Sequence, residues 1–147
     1  NSGAISSSGT VTGTSFIGVA TSAQYADLAE KYTADAEYAP GTVVSFGGDA
    51  EVTASTDADT RVAGVVSTNP AFTMNNNLVA DHVVTVAFTG RVPCRVAGTV
   101  RKGDLMVSAG NGLARAEANP APGTIIGKAL ANHDGAEGTI EVVVGRF

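Results

Sequence analysis

The sequence predicts a mainly β chain: a Gly/Ser/Thr-rich intertwined β stalk, a short helix, then a small β-barrel or sandwich, assembled as a trimer. Three observations lead there. Residues 1–21 carry no charged side chain and little bulk, so they can make a core only by winding around copies of themselves. From residue 40 on, short Val-rich runs alternate with Gly, Pro and Asn turns. Gly supplies 18 of 147 residues and charged side chains only 16 %, which suits a β protein sharing much of its surface with other copies.

The chain divides into three segments. Residues 1–21 are the stalk, with Gly3, Gly9, Gly13 and Gly18 as turns and Ile5, Val11, Phe16 and Ile17 as the apolar residues that face other chains. Residues 22–39 are a short helix and connector. Ser22 is a cap, and Tyr25, Leu28, Ala29 and Tyr32 fall at i, i+3, i+4 and i+7, so a helix over 22–32 presents one apolar face. Tyr25, Leu28 and Tyr32 join the candidate trimer interface. About ten residues make a marginal helix, which needs packing against the β region.

Residues 40–147 form the barrel-like domain, with about nine short strands expected. These are 42–46, 50–54, 61–67, 83–88, 91–96, 104–107, 113–116, 124–130 and 139–144. Residues 69–81 read as a long loop with Asn75, Asn76 and Asn77 at its exposed tip and Phe72 and Met74 at its base. Pro40-Gly-Thr-Val-Val44 echoes Pro122-Gly-Thr-Ile-Ile126, Lys102-Gly-Asp-Leu-Met106 has the same shape, and Arg61-Val-Ala-Gly64 recurs as Arg95-Val-Ala-Gly98. The spacing is irregular, so no solenoid follows. Similar turns opening several strands explain it.

Charge is uneven. Up to Asp81 nine acids stand against two bases; beyond it five acids stand against seven bases, so the halves carry −7 and +2 of the net −5. Unlike surfaces of this kind can meet across a subunit contact. The overall sign disfavours nucleic acid, and no apolar run approaches membrane-spanning length. Cys94, the single cysteine, allows no intrachain disulfide and sits in an apolar run that reads as buried. The chain begins at Asn and is expected to be the C-terminal piece of something longer.

Little chemistry is written in the residues. His82 and His133 stand apart, no Cys joins them at metal spacing, and neither a Gly-x-Ser-x-Gly elbow nor a phosphate loop occurs. No metal or cofactor is implied. Asp57 and Asp59 read as a charged turn, because the full ligand pattern of a Ca²⁺ loop is missing. Asp27 and Glu30, three apart on the expected helix, share a face and are the one candidate acid pair. His133 lies in the turn Ala131-Asn-His-Asp-Gly135 and, with Asn75–Asn77, is a candidate receptor-facing residue.

Three runs carry a resemblance: Ala23-Gln-Tyr-Ala-Asp-Leu-Ala-Glu-Lys-Tyr32, Pro40-Gly-Thr-Val-Val-Ser-Phe-Gly-Gly48 and Arg61-Val-Ala-Gly-Val-Val-Ser-Thr-Asn-Pro70. With Thr89-Gly-Arg-Val-Pro-Cys-Arg-Val96, Lys102-Gly-Asp-Leu-Met-Val107 and Ile140-Glu-Val-Val-Val-Gly-Arg-Phe147, they resemble the C-terminal regions of tailed-phage, cyanophage-like, tail fibre and appendage proteins. A weaker resemblance, through Ala26-Asp-Leu-Ala-Glu30 and Gly64-Val-Val-Ser-Thr-Asn-Pro70, is to the peptidase G2-type self-cleaving chaperone domain of phage neck appendages. Leu28 stands where that motif has an aromatic.

The resemblance implies a structural virion protein, not an enzyme. It implies a homotrimer that caps a fibre on the extracellular particle, contacts other virion proteins and presents loops to a host receptor. Two alternatives follow: a self-cleaving chaperone using Asp27 and Glu30, and a trimeric capsid decoration protein. A carbohydrate-binding module is disfavoured, since the chain has no Trp and 5 % aromatics.

Overall fold

The computed structural model describes residues 8, 9, 12, 13 and 27–145. The stalk expectation over 1–21, with Ile5, Val11, Phe16 and Ile17, lies outside the described residues apart from four exposed positions, and so do Tyr25 and the first part of the expected helix. The described chain is all β, in ten strands: β1 Asp27–Thr33, β2 Val43–Phe46, β3 Val52–Ala54, β4 Val62–Val66, β5 Phe72–Met74, β6 Val83–Ala97, β7 Leu105–Gly110, β8 Leu113–Ala116, β9 Ile125–Ala129 and β10 Glu137–Val144.

Five strands close a barrel. The C-terminal half of β6 pairs with β10, β10 with β9, β9 with β7, β7 with β8, and β8 returns to β6 through the parallel pair Val96↔Ala114. The N-terminal half of β6 belongs to a second group, in which it lies between β1 and β4, β4 pairs with β2, and β2 with β3. One parallel bridge, Ala34↔Val52, brings the chain after β1 back to β3, so this group curls into a second ring. β5 adds a short parallel edge to β1.

The two rings have two cores. Val92, Cys94, Val96, Met106, Ile126 and Val142 fill the barrel; Ala34, Val44, Val52, Val66, Val84 and Val86 fill the second ring. The sheet between them is buried on both faces. Val43, Val65 and Ala87 face the barrel core, while their neighbours Val44, Val66 and Val86 face the other. Successive strand side chains point to opposite faces, so a strand wedged between two cores needs consecutive apolar residues. The Val-Val doublets of β2 and β4 are that signature.

β6 passes between the rings without ending, where the sequence suggests two strands broken at Gly90. A register shift opposite Leu28/Ala29 leaves one extra β6 residue, and Gly90 follows at φ 103°. The irregularity changes parity: Ala87 faces the barrel core before it, and Val92, Cys94 and Val96 after it. Pro93 is tolerated because alternation turns its position's missing N–H away from β10, toward the side where Arg95 N reaches the Gly41 carbonyl at 2.9 Å.

The turn echo is structural at three places. Thr42 N, Thr124 N and Asp104 N donate to the carbonyls of Ala39, Ala121 and Arg101, and the Gly before each donor has φ of 84°, 85° and 95°. All three fit type II turns, in which only Gly accepts the third position cheaply. The Arg-Val-Ala-Gly echo is not structural: Gly64 is inside β4, while Gly98 leaves β6 at φ 75°.

The expected helix over 22–32 is corrected from residue 27 onward. Asp27–Thr33 is a strand, hydrogen-bonded to β6 along its length and to β5 on its other edge. Ala, Leu, Glu and Lys favour a helix only weakly, and pairing on both edges outweighs that preference. The expected loop over 69–81 likewise contains β5, which is three residues long and needs β1 to exist at all.

Two glycines hold the packed layers together. A Cβ at Gly64 would overlap the Ala87 carbonyl, and one at Gly127 would overlap the Val143 carbonyl. Backbone cannot yield as a side chain can, so Gly64→Ala and Gly127→Ala should each cost about 3 kcal/mol or more. Urea denaturation of each variant measures it.

Candidate functional site

The strand at Asp27–Thr33 changes which residues share a face. Asp27 and Ala29 share one face and are buried; Leu28, Glu30 and Tyr32 share the other, where register sets Glu30 and Tyr32 beside Val86 and Val84 and Tyr32 packs against the second ring's core while staying partly exposed at its mouth. Asp27 and Glu30 therefore lie on opposite faces, and the expectation that they form an adjacent acid pair is corrected. Leu28 and Tyr32 remain on one face because a spacing of four fits both periods. The parallel register Leu28↔Phe72 and Glu30↔Met74 continues that face onto β5.

Beside this face lies a pocket of about 340 Å³ at the junction of the rings. Tyr32, Phe46, Met74 and Phe88 form one side, and Ile125 and Val144 of the barrel form the other. Tyr32 and Phe46 meet edge to face, with centroids 5.5 Å apart. Phe46 is 46 % and Phe72 62 % exposed. The buried residues of both cores include no aromatic ring, so the large rings of β1, β2, β5 and β6 lie toward the surface. Apolar concavities with an exposed aromatic rim are docking surfaces more often than the scattered exposed Leu of an ordinary monomer.

Polar groups at this pocket are few and satisfied. The Tyr32 hydroxyl donates to Glu30 Oε2 at 2.9 Å. Burial, then the Glu30 carboxylate that accepts this bond, then the charges of Glu30 and Glu51 push the Tyr32 phenol up to about 12. It stays a neutral donor over the ordinary pH range.

Asp27 is 6 % exposed, and its Oδ2 finds no hydrogen-bond partner among the described residues. Its backbone carbonyl accepts from Ala71 N at 2.8 Å, which anchors the start of β5. Nothing among the described residues sets a base or nucleophile against it within a shared face.

Asn75, Asn76 and Asn77 are exposed, at the turn after β5. Asn75 adopts φ 53° and donates from Nδ2 to the Lys31 carbonyl at 3.2 Å; Lys31 Nζ donates to the Asn76 carbonyl at 2.9 Å. The tip is thus pinned to β1. His133 is half-buried: its ring lies on Gly138 of β10, its backbone pairs with Val100, and its Nε2 is buried. It is a packing residue of the barrel end rather than a free presenter.

Several other charged residues pair within the fold. Arg115 binds Asp57 at 2.9 Å and Glu117 at 2.8 Å, and these hydrogen bonds hold both carboxyls below their usual range. Burial raises the Asp59 carboxyl, but bonds from Arg61 N, Ser45 and the Arg61 guanidinium outweigh it and the net direction is down. Among the described residues no group of His, Cys, Asp or Glu is placed to hold a metal. Cys94 is fully buried, which pushes its thiol up to about 12.

No family model matches the chain, and no curated protein matches it either.

Cys94 and Tyr32 give the fold an alkaline limit. Both folded values are raised, from 9 and 10 to about 12. Their contribution is complete below the unfolded values and is lost as pH climbs through 9–12. For the buried thiol, each tenfold weakening of its acidity is worth roughly 1.4 kcal/mol; water screens Tyr32 more, and its share is smaller. Urea midpoints should fall steadily from about pH 9, and Cys94→Ala should remove the part that begins there. A midpoint flat to about pH 11 would contradict the burial of both groups.

Proposed function

We propose that the chain is the C-terminal trimerising and capping part of a tailed-phage fibre or appendage, a structural role on the extracellular particle. The single observation that carries the homo-oligomeric part of this reading is the partly exposed apolar mouth of the second ring: Tyr32, Phe46, Met74 and Phe88 in the inter-ring pocket, with exposed Phe72 beside Leu28 on the neighbouring strand edge. The sequence resemblance carries the assignment to a phage fibre. The two agree at Leu28 and Tyr32, which the sequence selects as intersubunit residues and which lie together on one face of β1.

The fold suits such a cap. Two fused rings with Val-rich cores give a compact end-piece. The Asn75–Asn77 tip, pinned to β1 beside the same face, is the loop offered to a host receptor or a neighbouring virion protein. Self-processing by an Asp27–Glu30 pair draws no support from their placement on opposite faces.

Light scattering coupled to size-exclusion chromatography tests the assembly. Residues 1–147 should elute at about 44 kDa, three times the 14.7 kDa chain. A monomer at all concentrations would overturn the trimer, and a stable dimer would overturn the stoichiometry.

A further inference from the structure

The mouth of the second ring sets one carboxylate among aromatic rings. Glu30 shares a face of β1 with Tyr32, and register places it opposite Val86 of β6 and Met74 of β5. Tyr32 and Phe46 meet edge to face with centroids 5.5 Å apart, and Phe88 lines the same cavity. Ile125 and Val144 form its barrel side. The cavity holds about 340 Å³, near the lower end of the range for ligand sites, so it suits a small molecule rather than a folded partner.

The groups in the cavity decide the charge of that molecule. Its one side-chain donor, the Tyr32 hydroxyl, already donates to Glu30 Oε2 at 2.9 Å. An anion would find no free side-chain donor and would meet the Glu30 carboxylate. The charge of Glu51 also reaches Tyr32 and adds to the negative field. Among the described residues no Lys, Arg or His forms an ion pair with Glu30. Lys31 lies on the other face of β1, where its Nζ donates to the Asn76 carbonyl. Arg61, beside Val62, is held by Asp59.

A carboxylate in such a setting favours a cation, and aromatic rings favour the same charge. A primary ammonium has three donors to satisfy, and the side chains here offer only the oxygens of Glu30 and Tyr32. A fully alkylated ammonium has none. Its methyl groups can bury against the rings and Met74 while its charge faces Glu30.

We propose that the inter-ring cavity is a binding site for a small organic cation, an alkylated ammonium held among Tyr32, Phe46 and Phe88 and neutralised by Glu30. The site goes beyond the structural role proposed above and does not depend on it.

Choline is the probe, and its neutral isostere with carbon in place of nitrogen is the control, equal in shape and lacking the charge. Each is titrated into the full chain at constant ionic strength and followed by NMR of the aromatic rings. Choline should give saturable shifts at Tyr32, Phe46 and Phe88, and the isostere should bind roughly tenfold or more weakly. No saturable shift at these rings overturns the proposal. Equal affinity for the two probes overturns it as well, since it marks a cavity that selects only apolar shape.

Glu30→Gln keeps the size of the side chain and an acceptor for the Tyr32 hydroxyl. It should lower choline affinity toward that of the isostere and leave the isostere unchanged. Methyl shifts of the barrel core, matching those of the parent, show that the variant is folded. A folded Glu30→Gln that binds choline as the parent does overturns the proposal. Should the variant misfold, the two probes on the parent chain still decide.

Discussion

The fold depends on one constraint: β6 serves both rings, placing Val84 and Val86 in one core and Ala87, Val92, Cys94 and Val96 in the other. Its N-terminal half lies between β1 and β4, and its C-terminal half carries β10 along eight consecutive pairs. No other described element crosses from one ring to the other as continuous strand. Its burial requires Val86 and Ala87 to be apolar in succession, and it requires the parity change at Phe88–Gly90. It also requires that β4 approach without a side chain at Gly64. A strand that must satisfy two cores tolerates almost no polar residue along its inner positions.

That arrangement also explains where the aromatics are. Two narrow cores divide the available volume, and each is filled by aliphatic side chains, with Cys94 and Met106 in the barrel. Aromatic rings reach the second core only from its edge, where Tyr32 and Tyr38 pack against it. Tyr32, Phe46 and Phe88 instead gather where the rings meet, and Phe72 extends the surface they make. The exposed aromatic surface is thus a consequence of how the core is divided.

Much of the strand pattern is legible in the residues, because Val-rich runs between Gly turns leave few other options. The Pro-Gly-Thr echo marks a real turn geometry, since a positive φ after Pro selects Gly at that place. The segment Asp27–Thr33 is not legible. Its Leu28 and Tyr32 satisfy helical and strand spacing alike, its composition favours a helix, and the two partners that make it a strand, β5 and β6, are more than forty residues away in sequence. The acid pair fails for the same reason, because Asp27 and Glu30 share a face only if the local structure is helical. β5 has three residues and no alternation to reveal it. The doublets Val43-Val44 and Val65-Val66 hold the signal for two cores, which becomes readable once strands covered on both faces are considered.

The central claim is that β6 makes the two rings one cooperative unit. Native-state amide hydrogen exchange tests it most directly, by comparing Val84 and Val86 in the second ring with Val92, Cys94 and Val96 in the barrel. The account predicts one opening free energy for both halves, equal to that of global unfolding and falling in parallel as denaturant is added. Separate opening energies, with one half exchanging through a subglobal unfolding that leaves the other protected, would contradict it.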